Sequence, residues 1–227
     1  MVYIVIFGIL LILIYGPQLW VQSVLKRYNR TPESNFPGTG GELARHILDR
    51  YDLKEISVEI TDRGDHYDPS SLTVRLSRDK FEGKTLTAIT VAAHECGHAI
   101  QHAAAEPLFM WRTRLAKSVV LAQALGSLLL FGAPVLVLLF RIPSVALVNI
   151  AGAFLMIGFA VIIQLMTLPV EIDASFNKAL PILKAGYLNE TQLAPAHQIL
   201  RAAAWTYVAA SLAGLLNFWR WLAILRR

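Results

Sequence analysis

"VAAHECGHAIQHAAAEPL", residues 91–108, decides how the rest of the chain is read, because it sets three His and Glu95 in an otherwise Ala-rich run. From Thr85 to about Ala105 there is no Pro, one Gly and much Ala, which predicts a helix, and Pro107 predicts its end. On that helix His94 and His98 are four residues apart and project from one face, while Glu95 is turned about 100° away. Two imidazole nitrogens can then grip one cation with a carboxylate beside it as general base. This is the HExxH arrangement of zinc-dependent hydrolysis, and "HECGH" matches every fixed position. A helix that merely satisfied two histidines would leave Glu95, an ionisable group in an apolar run, without a reason.

A third protein ligand has to come from elsewhere. His102 continues the stripe from His98, but its Cα lies about 12 Å along the helix axis from that of His94, too far for one ion. Position 104, where a longer pattern carries a third His, is Ala. The remaining candidates are Glu106, Glu171, Asp173, Glu190 and His197, and "TLPVEIDASFNKAL", residues 167–180, favours Glu171. Pro169 is suited to start a helical segment with Glu171 in its first turn, whereas Asp173 is expected on the opposite face. Cys96 is the only cysteine, so no intrachain disulfide forms, and it reads as a packing residue.

Composition sets the surroundings. The 227 residues are 55% hydrophobic and 16% charged, well below the roughly 25% charge of an average soluble domain. Four uncharged stretches, Val2 to Leu25, Ser118 to Phe140, Ile142 to Val170 and Ala202 to Trp219, each reach or approach the ~20 residues of a bilayer span. The expected fold is therefore a mainly α membrane protein with about four transmembrane helices and a small α+β peptidase domain carrying a short antiparallel strand pair. The expected divisions are an anchor over 1–25, a peptidase domain over 26–117, two spans over 118–170, a third-ligand segment over 171–201 and a transmembrane or interfacial helix over 202–227. The formal charge of +5 does not imply nucleic acid, since the basic residues gather beside the apolar stretches. Lys26, Arg27, Arg30, Arg112, Arg114, Lys117, Lys178, Lys184 and Arg201 fall on the side that would share the site, against Arg141, Arg226 and Arg227 opposite. A multi-pass cell-membrane protein with a cytoplasmic active site and the lipid bilayer as a partner is the expectation.

Between the apolar stretches, Thr39 or Gly40 leads into Leu43, Ile47 and Leu48 at helical spacing. Ile56, Val58 and Ile60, and again Leu72, Val74 and Leu76, alternate as strands around a Gly/Asp/Pro/Ser loop.

"DHYDP" followed by "TVRLS", then "VAAHECGHAIQHA", "TLPVEIDAS" and "ILRAAAWTYVAA", in that order, resemble the bacterial membrane zinc metallopeptidases typified by YugP, known as neutral zinc metallopeptidases. The resemblance covers nearly the whole chain. It implies a gluzincin-like peptidase with zinc on His94, His98 and Glu171 and with Glu95 as the catalytic acid/base. One departure stands out: where an Asp commonly follows the ligand Glu by four residues, this chain has Ser175. Substrates would be peptides or locally unfolded proteins, membrane proteins among them, presented to an open strand edge. Groups able to hydrogen-bond the developing oxyanion are His66, Tyr67, His197, Arg201 and Tyr207. His66 and Tyr67 equally suit a turn clamped by Asp65, Asp68 and Pro69, and Tyr207 an interfacial anchor. The rival reading is a zinc-containing membrane scaffold or chaperone without turnover.

Overall fold

A computed structural model describes residues 2–30, 36–140 and 143–206. Its elements are α1 (Val2–Tyr28), α2 (Gly40–Arg50), β1 (Ser57–Ile60), β2 (His66–Asp68), β3 (Thr73–Leu76), α3 (Arg78–Phe81), α4 (Leu86–Ala103), α5 (Pro107–Phe140), α6 (Pro143–Met166) and α7 (Leu168–Ile172). A π-helical segment (Asp173–Ala179), α8 (Leu180–Lys184) and helix over 190–206 follow. The chain divides into two compact units, one of Leu19–Met110 with Leu168–Thr206, the other holding residues 2–18 and Trp111–Thr167.

The first of these units is built around α4. Thr85 caps it, its hydroxyl accepting from the Ala88 amide at 3.0 Å, and from Leu86 to Ala99 every residue is buried. A helix apolar on all sides must be covered on all sides. Here α2, α3, β2, β3, the π-helical segment and α8 all pack on it. The expected helix after Thr39 is α2, and its start is a capping box: the Glu42 amide donates to the Thr39 hydroxyl at 3.3 Å and the Thr39 amide to the Glu42 carboxylate at 2.8 Å. Leu43, Ile47 and Leu48 face the core, as their spacing requires. Toward its end α1 is tied to α4, where the Thr87 hydroxyl donates to the Leu25 carbonyl at 2.9 Å.

The sheet corrects one expectation. The two anticipated strands, β1 and β3, pair in parallel, with Ser57 opposite Thr73 and Ile60 opposite Leu76. The connection between them contains a third strand, β2, which pairs antiparallel with β3 on its other side, giving the order β1-β3-β2. A chain that visits the far edge before returning to the middle arrives parallel to where it started. "HYD" is too short to show alternation, so the intervening strand left no periodic signal. The return turn is clamped as expected: Asp68 accepts from the Ser70 amide at 2.9 Å, the Ser71 hydroxyl at 2.8 Å and the Arg75 guanidinium at 2.7 Å.

The expectation of about four transmembrane helices is also corrected: among the described residues no helix is long and apolar enough to cross a membrane. Counting apolar residues stretch by stretch overlooked where helices begin, what they carry and where they are cut. α1 contains Pro17, Gln18 and Gln22, and α5 opens with Arg112 and Arg114. The third stretch is divided by a turn at Thr167, between α6 and α7. The fourth lies outside the described residues after Thr206. The expected cytoplasmic placement of the site was drawn from the Lys and Arg residues beside those stretches, counted on the assumption that the stretches span. Within the second unit, the Asn149 side chain donates to the Leu129 carbonyl at 2.6 Å, while Leu128, Leu138, Val148 and Leu155 are all well exposed.

Two glycine positions give a direct test of the packing. A Cβ on Gly97 would lie 2.7 Å from the Ala174 carbonyl oxygen, whereas one on Gly158 would meet nothing within 4 Å. Gly97→Ala is expected to lower stability by about 1–3 kcal/mol, and Gly158→Ala to leave it equal or raised, in thermal melts of the two variants. Equal responses would contradict the close approach. The Asp68 clamp predicts a pH dependence: the hydrogen bond from Arg75, above all, lowers its carboxyl from 3.8 to about 2, so its stabilisation is complete above pH 3.8 and is lost as pH falls toward 2. Asp68→Asn should therefore destabilise the protein at neutral pH, with the difference from wild type closing below about pH 3 in denaturant titrations.

Candidate metal centre

Three polar side chains meet where α4 faces the start of the segment after Thr167. Glu171 is fully buried, and His94 and His98 are each 4% exposed. The His98 Nε2 lies 3.2 Å and the His94 Nε2 3.4 Å from the same oxygen, Glu171 Oε2, and the two imidazole rings are 4.8 Å apart at 77°. Among the described residues these three form the group whose donor atoms, all within 4.8 Å of one another, could hold a metal ion. The His pair follows from helical spacing. Glu171 follows from Pro169, which sits in the first turn of α7 and starts it as expected.

Local backbone brings the two segments this close. Gly97, between the two histidines, has no Cβ, and the Ala174 carbonyl occupies that space. Immediately after Glu171 the helix changes from α to π winding over Asp173–Ala179. Such i→i+5 turns are rare and are found disproportionately at functional sites. On one side of Ala174, Ser175 contacts His94 Nδ1 at 3.0 Å. On the other, Asp173 accepts from the Gln101 amide nitrogen at 2.8 Å.

The donor set fits a cation. Ser175 has one hydroxyl hydrogen, and it goes to the Leu200 carbonyl at 3.2 Å, which can only accept. Its oxygen therefore receives a hydrogen from His94 Nδ1, which in a neutral imidazole leaves the Nε2 with a lone pair directed at a buried carboxylate oxygen. Lone pair against carboxylate, out of water, is unfavourable unless a positive charge lies between them. Two imidazoles and one carboxylate are a donor set suited to zinc with a coordination position left open.

Other expected residues fall in different places. Glu95 is buried on α4 beside His94, 7% exposed. Tyr67 is buried on β2, and its hydroxyl meets His102 Nδ1 at 2.8 Å; burial, together with the nearby Asp68 and Glu55 carboxylates, pushes its pKa up to about 12, so it keeps its proton. Phe109 lies against His98, His102 and Tyr67, with ring centres 6.0, 5.5 and 6.3 Å away. His66 instead contacts the Gly64 carbonyl at 2.8 Å, His197 lies on Phe176, and Arg201 is exposed. Tyr207 lies outside the described residues. Glu106 is held by Lys178 at 2.7 Å. Cys96 donates to the Ala44 carbonyl at 3.6 Å, and complete burial, with Glu95 nearby, raises its thiol pKa, as suits a packing residue.

One residue, Gln101, escaped the sequence reading, and another was weighed only as a ligand. Asp173, weighed as a ligand and expected on the opposite face from Glu171, stands outside the donor trio and accepts from Gln101 at 2.8 Å. Gln101, 1% exposed, contacts His98 Nδ1 at 2.9 Å and the Val170 carbonyl at 2.9 Å. The available signal was its spacing: three residues after His98 and seven after His94, it falls on the same helical stripe.

Comparison with known proteins agrees with this donor set. The family described as "Putative neutral zinc metallopeptidase" matches residues 3–226. The "Putative membrane protease YugP" of Bacillus subtilis (strain 168) is 35% identical over 214 residues, covering 92% of this chain and 90% of that protein. No solved structure matches. A site that asks for one cation and a family match running almost from end to end lead to one conclusion: the chain belongs to the neutral zinc metallopeptidase family and is a zinc-dependent hydrolase of peptide bonds.

Proposed function

We propose that this chain is a membrane-associated endopeptidase in which His94, His98 and Glu171 hold the zinc and Glu95 is the general base. The observation that carries the reading is the meeting of His98 and Glu171, 73 positions apart, at 3.2 Å in a buried site together with His94. Zinc, when bound there, supplies Lewis acidity that acidifies water and polarises a peptide carbonyl. Glu95 accepts a proton from the attacking water and delivers it to the leaving amine, so that no covalent link between enzyme and substrate is needed. Its place on α4, next in sequence to His94 and 7% exposed, puts it beside the donor set. Ser175 fixes the His94 ring by accepting from its Nδ1, in the place where other gluzincin-like sites use an Asp.

Substrate is read from the sheet. Among the described residues β2 has β3 on one side only, and Tyr67 on β2 contacts His102, one helical turn beyond His98. An extended peptide added along the free edge of β2 would run beside α4, which requires a locally unfolded substrate. His102 and Tyr67 are then the groups nearest to hand for a hydrogen bond to that peptide. Membrane association is supported by the name of the Bacillus subtilis relative and by the exposed apolar side chains of α5 and α6, a surface suited to lipid.

Glu95→Gln is expected to keep its zinc, measured by metal analysis, and to lose at least about a hundredfold in turnover of a peptide-library substrate. Undiminished turnover would remove Glu95 from the chemistry, and inactivity of the wild type toward every peptide would favour a zinc-containing scaffold. A tightly folded protein offered alongside its denatured form should survive while the denatured form is cut. Equal cleavage would contradict presentation along a strand edge.

A further inference from the structure

Gln101 is not accounted for by the zinc donors or by the proton transfer, yet all of its polar atoms are engaged. Its amide nitrogen donates to the Val170 carbonyl at 2.9 Å and to Asp173 Oδ2 at 2.8 Å, and its Oε1 lies 2.9 Å from His98 Nδ1. A carbonyl and a carboxylate only accept, so both amide hydrogens are committed to them and the amide oxygen is left to accept from His98 Nδ1. We propose that Gln101 is a positioning residue that holds His98 in its Nδ1–H tautomer, keeping the Nε2 lone pair available to zinc, and that it pins the Glu171 segment to α4 through the same amide.

The need for such a residue follows from the short distance between His98 Nε2 and Glu171 Oε2, 3.2 Å. With its hydrogen on Nε2, His98 would donate to that carboxylate in a charge-assisted bond, and the nitrogen would be closed to metal. The metal-ready tautomer forfeits that bond and needs an acceptor at Nδ1 in exchange. A glutamine free to turn could present either its oxygen or its nitrogen there. Val170 and Asp173 remove the choice, because both require the nitrogen.

The pinning role is distinct. Ser175 braces His94 against the Leu200 carbonyl, in the helix over 190–206, whereas Gln101 braces His98 against residues on either side of Glu171 itself. Loss of the Gln101 amide therefore frees the His98 hydrogen and releases the segment that carries the third donor. Glutamate at 101 would separate the two effects. It can accept from His98 Nδ1, but it has no hydrogen for Val170 and repels Asp173.

This inference rests on the reading of His98 and Glu171 as zinc ligands, and the test keeps the two apart. Zinc affinity of the full chain would be measured by chelator competition for wild type, H98A, Q101L and Q101E. The His98 tautomer would be read from imidazole 15N shifts in zinc-free protein at alkaline pH, the signal being identified by its loss in H98A. Wild type should show hydrogen on Nδ1. Q101L should bind zinc about 10–100-fold more weakly and move the hydrogen to Nε2, and Q101E should weaken binding while keeping Nδ1–H. Zinc affinity unchanged in H98A would overturn the ligand reading. Affinity reduced in H98A but unchanged in Q101L, or wild-type His98 with its hydrogen on Nε2, would overturn the role of Gln101 alone. The wild-type tautomer decides the matter even if Q101L fails to fold.

Discussion

The backbones of α4 and of the segment carrying Glu171 touch at Gly97, where the Ala174 carbonyl fills the space a side chain would take. Each polar contact of the site is a consequence of that approach. With Ala174 against Gly97, its neighbours Asp173 and Ser175 reach Gln101 and His94, and Glu171 arrives between the two imidazoles. A larger residue at 97 would push the segments apart by a distance comparable to the margins of these bonds. Between the first His and the second, the HExxH pattern leaves two positions open, and in this chain one of them is used for contact between backbones.

The charges at the site are economical. Glu171 is the one carboxyl group in the trio, and the imidazoles are braced by a hydroxyl and an amide, not by carboxylates. A divalent cation on this set keeps a net positive charge, which favours activation of water and of a carbonyl. The nearest further carboxylate in the brace, Asp173, is separated from His98 by the whole Gln101 amide. Burial pushes the Asp173 carboxyl up, but hydrogen bonds from Gln101 and Asn177 and the Lys178 ammonium outweigh it and hold it below the ordinary range, so it remains an acceptor.

Much of the core of this arrangement was legible beforehand because it depends on local rules. The His94 and His98 spacing, the Thr39 capping box and the helix start at Pro169 all need only a few neighbouring residues. Gln101 shared the stripe of the two histidines, but an amide carries no metal-ligand signature, so spacing alone did not single it out. Asp173 was weighed only as a ligand, and its bond to Gln101 is a tertiary contact that local spacing does not reveal. The strand "HYD" is too short for alternation to appear, and its presence turned an expected antiparallel pair into a parallel one. The apolar stretches were visible as composition, but helix starts, interruptions and the turn at Thr167 are properties of the folded chain.

X-ray absorption at the zinc edge, on the purified full-length protein and on Glu171→Ala, tests the metal assignment most directly. The account predicts outer-shell scattering from two imidazole rings, a light-atom first shell at about 2.0–2.2 Å without sulfur, and a changed shell or lost zinc in the variant. A sulfur neighbour at about 2.3 Å, or a spectrum indifferent to removal of Glu171, would contradict it.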